Sequence, residues 1–270
     1  MRLEVFHLGD RGARRFCVLH RPDGDCRGAL LCVAPFAEEL NKSRRMLSLG
    51  ARTLAAAGWA ALLLDPCGCG DSDGDFEDAT WERWEDDVQT GAAWLATRFP
   101  GAPWLWGLRA GALLAMSAAH RFALAPRFLF WQPVTSGEQH LHQFLRIGST
   151  QAALARGNAA MAGESLRERL RTGSTVEVAG YRISPALAAG MAQVRLDAPA
   201  PDRVAWLEVG TGEIAAMSIG GQQRLDAWRT AGVRAAGHVV AGEHFWQTAE
   251  IAECAALLDA TTAVMNEVAA

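Results

Sequence analysis

Five short stretches carry most of the side chains able to do chemistry, and each directly follows an apolar run. They are Pro35-Phe36-Ala37-Glu38-Glu39, the turn Asp65 to Ser72, Gly107-Leu108-Arg109-Ala110-Gly111, Gly210-Thr211-Gly212-Glu213 and Gly242-Glu243-His244. A parallel sheet gathers residues at the carboxyl ends of its strands, so these stretches are the ones a single crevice can combine. Their chemistry is specific. His244 is a proton carrier near neutral pH, Glu38, Glu39 and Glu213 are carboxylates, and Arg109 is a permanent cation with a planar fork of donors. Cys67, Cys69 and Ser72 have nucleophilic side chains, but they lie among Gly68, Gly70 and Asp71, which reads as a turn closed by its own Asp and Ser. A lone Cys67-x-Cys69 with no second pair and no nearby histidine predicts no zinc site and no other metal. Ser43 and Ser136 have no stronger claim to nucleophilic work.

The elements that must hold these residues follow from periodicity. Leu3 to Phe6 and Phe16 to Leu19 read as a hairpin around Gly9 to Gly12, and Ala29 to Ala34 as a strand buried on both faces. A helix over about 42–57, a strand Ala60 to Leu64, a helix over 82–97, a short strand to Trp106, a helix from Ala110 to Phe122 and a strand Phe128 to Trp131 continue the pattern. Strands separated by helices mean right-handed crossovers and a mostly parallel sheet with helices on both faces. From about 134 to 202 the rhythm breaks into a Gly-, Ser- and Arg-rich stretch with a helical patch near 151–171, expected to be a cap inserted into one domain spanning 1–270. There His140 and His142 read as solvated, and Arg167, Arg169 and Arg171 as an exposed face. Strand, helix, strand and a closing helix over 248–264 complete the chain.

Composition bounds the partners. Half of the 270 residues are apolar, the formal charge is −4, and Lys42 is the one lysine. That balance gives no basic face for nucleic acid. No apolar run reaches 18 residues and the first residues are polar, so the expectation is a cytoplasmic chain, not integral to a membrane. Six cysteines in a chain of this length are expected to be reduced thiols. No cofactor is implied.

The ordered set of strand-end residues resembles the α/β-hydrolase superfamily over almost the whole chain. Gly107-x-Arg109-x-Gly111 is similar to that family's nucleophile elbow, G-x-S-x-G, and the run at 65–72 to its turn after strand four. The resemblance implies that Glu213 is the triad acid, that His244 is the general base and that Phe36 supplies an oxyanion-hole amide. Leu108 and Ala110, which flank the nucleophile position, and Glu38 are expected with Arg109 and Phe36 to contact the ligand. At that position the chain departs from the family: Arg109 has no usable lone pair and cannot be activated by a histidine. The strings at 35–45, 69–76, 106–109, 131–133, 178–181 and 245–248 further resemble exosortase A system-associated hydrolase type 2 proteins, which accompany exopolysaccharide and protein-sorting systems.

Two readings of Arg109 follow. It anchors a carboxylate, phosphate or uronate beside a helix N-terminus, or it closes an internal pair with Glu38, Glu39 or Glu213. Trp106, Trp131 and Trp246, at strand ends, are candidate floors for a pocket. The functional expectation is a degenerate hydrolase binding an anionic small molecule, or a partner from the exopolysaccharide or exosortase machinery. The alternative is an ester or thioester hydrolase in which His244 and Glu213 activate water, or which uses a displaced nucleophile. A weaker third is an interaction protein whose cap docks on a membrane-bound component.

Overall fold

The computed structural model describes residues 1–119, 126–156, 166–197, 201–212 and 216–268. Strands β1 (Arg2–Leu8) and β2 (Arg15–Arg21) form the opening antiparallel hairpin. They are followed by β3 (Gly28–Val33), β4 (Trp59–Leu64), β5 (Trp104–Leu108), β6 (Arg127–Trp131), β9 (Arg203–Gly210) and β10 (Arg234–Ala241). These eight strands make one sheet in the order β1-β2-β4-β3-β5-β6-β9-β10, in which every pair from β4 to β10 is parallel. A separate short hairpin, β7 (Val176–Val178) with β8 (Tyr181–Ile183), lies in the excursion between β6 and β9. Only a helical patch near 151–171 was expected in that stretch, yet Ala179 and Gly180, both at positive φ, supply a two-residue hairpin turn.

The helices are α1 (Glu38–Ala56), α2 (Trp81–Ala96), α3 (Ala110–Ala119), α4 (Gly137–Arg156), α5 (Pro185–Gln193), α6 (Ile219–Thr230) and α7 (Ala255–Glu267). Residues 166–171 are also helical, and Arg167, Arg169 and Arg171 are exposed there as expected. Alternation along the buried strands assigns side chains to two faces with a period of two. Leu105, Phe128, Phe130, Val204 and Trp206 pack towards α2, α3 and α6, whereas Trp104, Trp106, Leu129, Trp131 and Leu207 pack towards α1 and α7. The sheet is therefore the middle layer of three, with helices on both faces.

Two boundaries differ from the expected ones. Helix α1 starts at Glu38, four residues early, because Glu38 and Glu39 suit the positive N-terminal end of a helix dipole. Helix α7 starts at Ala255, not near 248, since residues 245–248 form a turn in which Gln247 N–H bonds the His244 carbonyl at 2.9 Å. The last predicted turn of α3, to Phe122, lies outside the described residues.

Candidate functional site

The elbow is built by close approach. A Cβ on Gly107 would come within 2.5 Å of Ala112 Cα, and one on Gly111 within 2.1 Å of the Val33 carbonyl oxygen. Neither glycine needs positive φ; both need to be small, because α3 turns back directly over β5 and β3. The strain falls on the residue between them. Arg109 has φ 54, a left-handed conformation that costs a non-glycine residue about 1–2 kcal/mol. Backbone hydrogen bonds hold it there: Arg109 N–H donates to the Trp131 carbonyl at 3.0 Å, and its own carbonyl accepts from Ala112 and Val134 at 3.1 and 3.2 Å. Residue 109 thus occupies the tip of the strand-turn-helix bend.

From that tip the guanidinium meets a carboxylate. Arg109 Nε and Nη2 donate to Glu39 Oε1 at 3.2 and 3.1 Å, and Nη1 reaches the Gln132 carbonyl at 3.5 Å. Of the three carboxylates expected to compete for Arg109, Glu39 is the one paired. Glu38 instead accepts from Asn41 and from the Tyr181 hydroxyl, and Glu213 lies outside the described residues. Arg109 also sits over the Trp246 ring, 5.3 Å from its centroid. Desolvation raises the Glu39 pKa, and the adjacent guanidinium opposes that rise.

Glu39 has a second neighbour that sequence reasoning placed in solvent. His140, on the first turn of α4, is buried, with its Nε2 3.9 Å from Glu39 Oε2. Among the described residues, neither its ring nitrogens nor Glu39 Oε2 has a hydrogen-bond partner. Burial and the Arg109 charge depress its pKa to about 3, so the ring is neutral. The face of α4 explains the miss: His140 lies four residues before Phe144, which is buried, whereas His142 is exposed. The i, i+4 spacing to Phe144 was the available signal.

Arg109, Glu39 and His140 line one cavity of about 320 Å³ together with Lys42, Phe144 and Trp246. Phe36 and Glu38 also border it. Leu108 and Ala110 flank the elbow but are buried in the core and do not line it. Trp106 and Trp131 are corrected in the same way. Both are fully buried, in edge-to-face contact at 4.7 Å against Gly50 of α1, so they complete a core layer and leave Trp246 as the cavity's tryptophan.

His244 is oriented unlike a base serving residue 109. Its Nε2 lies 3.0 Å from the Val209 carbonyl oxygen, and its Nδ1 lies 3.1 Å from Gln247 Nε2. A carbonyl accepts only, so Nε2 carries the proton, Nδ1 accepts from the amide, and the ring stacks on Trp246 at 4.8 Å. Both nitrogens are committed. A different carboxylate, Glu208 of β9, is buried nearby in sequence and accepts from Trp206 Nε1 at 2.9 Å and from Ser218 N and Oγ at 2.7 Å, which satisfies it structurally.

The 65–72 turn holds no nucleophile. Asp65 takes a two-point bond from Arg44, and Ser72 Oγ donates to the Asp65 carbonyl while accepting from Phe16 N–H at 2.8 Å. Burial pushes the Cys69 thiol up to about 12 and raises that of Cys67. All six cysteines are free thiols, as expected. Among the described residues, no cluster of metal ligands is present, and no helix is long and apolar enough to cross a membrane.

Neither a protein-family model nor a curated protein sequence matches the chain. Solved structures do. Est1E from Butyrivibrio proteoclasticus, determined with ferulic acid bound, aligns at 18% identity and a TM-score of 0.62 over 97% of this chain and 98% of its own. A highly thermostable carboxyl esterase from Bacillus coagulans aligns at 11% identity and 0.64 over 100% of both chains. A serine hydrolase without a lid from Xanthomonas campestris aligns at 14% and 0.56 over 98% of this chain and 93% of its own. At such identities the likeness is one of architecture. Eight strands in this order, helices on both faces and a strained elbow after β5 give this chain the α/β-hydrolase fold.

Proposed function

We propose that this protein is a degenerate α/β-hydrolase that binds an anionic small molecule, or an anionic group of a partner, at the Arg109 cavity and does not transfer acyl groups. On this reading residues 1–270 form one domain, and the cap at about 134–202 contributes α4 to the cavity wall. The resemblance of its sequence strings to exosortase A system-associated hydrolases supports a cytoplasmic place beside exopolysaccharide or protein-sorting machinery.

One observation carries the reading. A cation stands at the strained tip of the elbow, at φ 54, while His244 gives its Nε2 proton to the Val209 carbonyl. A serine hydrolase needs the reverse at both positions: an oxygen nucleophile at the tip and an unprotonated Nε2 facing it. The same arrangement suits recognition. Glu39 uses one edge of the guanidinium, through Nε and Nη2, and Lys42 adds a second cation to the wall, its Nζ held by the Ala249 carbonyl at 2.8 Å. One N–H on Nη1 and one on Nη2 remain to meet a ligand carboxylate end-on, the geometry for which the arginine fork is shaped.

Thermal shift and calorimetry with phenylacetate test the reading. The wild type is expected to bind, and Arg109→Ala to lose the binding while remaining folded. Equal affinity in that variant would overturn it.

A further inference from the structure

The cavity holds a polar pair that the anion reading does not use. Glu39 Oε2 and both nitrogens of His140 are buried without hydrogen-bond partners among the described residues, and Oε2 and Nε2 face each other across 3.9 Å. His140 is more than nine-tenths buried, its side chain 7% exposed, on an element contributed by the excursion between β6 and β9. Leaving such groups unsatisfied costs about 1–3 kcal/mol each, so a fold that keeps them has a use for them or has lost stability for nothing.

We propose that Glu39 Oε2 and His140 receive a hydroxyl group of the ligand, and that the ligand class is therefore a hydroxylated carboxylate with an apolar or ring body. The inference rests on the anion-binding reading of Arg109. Its added content is the second group. A hydroxyl is both donor and acceptor, so one lying between the two side chains donates to Glu39 Oε2 and accepts from a ring N–H of the neutral imidazole. Glu39 pairs with Arg109 through Oε1, and its buried Oε2 faces His140 at the cavity wall. The ligand carboxylate meets the outer donors of the same guanidinium, so the two recognised groups must be close together in the ligand. Trp246 and Phe144 supply the apolar wall for its body. Simple carboxylates satisfy the cation but leave the polar pair unpaired, which is how a site built to bond a hydroxyl discriminates against an analogue lacking it.

Mandelate and phenylacetate differ by one hydroxyl beside the carboxylate and separate the two claims. Calorimetry on the full chain is expected to show one enantiomer of mandelate binding at least about tenfold more tightly than phenylacetate, the worth of one well-made hydrogen bond. In His140→Leu the ratio of mandelate to phenylacetate affinity is expected to fall to about one, and Glu39→Gln, which keeps the side-chain shape, is expected to reduce it. Arg109→Ala is expected to abolish binding of both. Equal affinity of the wild type for the two acids, with Arg109 still required, overturns the hydroxyl proposal and leaves the anion site standing. Binding of neither acid overturns both. The ligand comparison is made on the wild type, so it holds even if a variant fails to fold.

Discussion

At the scale of single residues, backbone strain and burial make distinct demands. Ala37 has φ 50 and ψ −126, a conformation suited to glycine, and it sets the entry to α1 that places Glu39 opposite the elbow. Ala37→Gly is expected to stabilise the fold by about 1 kcal/mol in urea unfolding, since relief of strain exceeds the loss of one small buried methyl. Glu39→Ala works the other way, leaving Arg109 without its main partner, and is expected to destabilise by about 1–3 kcal/mol. His140 gives a pH signature. Its pKa is about 3 in the fold against an ordinary 6.5, so its contribution is fully present above pH 6.5 and is lost as pH falls from 6.5 towards 3. Glu39, with a raised pKa, destabilises the fold at neutral pH and is relieved as pH falls through that raised value, so it partly opposes the trend. The difference between wild type and His140→Leu in stability against pH isolates the histidine, and the variant's profile is expected to be flatter between pH 6.5 and 3.

At the scale of elements, the site depends on how tightly helices can lie on the sheet. A Cβ on Gly50 would fall 2.7 Å from both Trp106 and Trp131, deep in the layer under α1. Gly50→Ala is expected to cost about 1–3 kcal/mol through overpacking, read as a lowered urea midpoint with an unchanged m-value. Periodicity made most of this legible: the apolar runs at 29–34, 60–64 and 128–131 are strands, and the glycine spacing at 107 and 111 marks the elbow. What stayed hidden was decided by tertiary placement. His140 and His142 have the same polarity and nearly the same neighbours in sequence, and only the seating of α4 against Phe36 buries one of them, with Phe36 and Phe144 rings 5.0 Å apart. Trp106 and Trp131 were misplaced for a related reason. Being at a strand's carboxyl end does not say which face a side chain takes, and the pleat turns both towards α1 and α7.

At the scale of the whole molecule, the sheet order and the reach of α1, α3 and α4 bring three distant segments to one crevice. Residue 39 comes from the first crossover, 109 from the elbow after β5 and 140 from the excursion after β6. The meeting of 39 and 109 was expected from the fold, whereas 140, read as solvated, is buried there. The orientation of His244 was not expected, because which ring nitrogen faces the strand end depends on Val209 and Gln247, partners that no spacing rule names. It has a consequence for Arg109→Ser. Restoring the hydroxyl alone is expected to leave hydrolysis of p-nitrophenyl acetate at background, because the protonated Nε2 remains tied to the Val209 carbonyl.

The central claim, that acyl transfer is lost at this elbow, is tested most directly by exposing the purified wild-type chain to a fluorophosphonate and measuring its intact mass. An unchanged mass is expected under conditions that fully modify a serine esterase. A stoichiometric adduct on any serine or cysteine, abolished by His244→Ala, would contradict it.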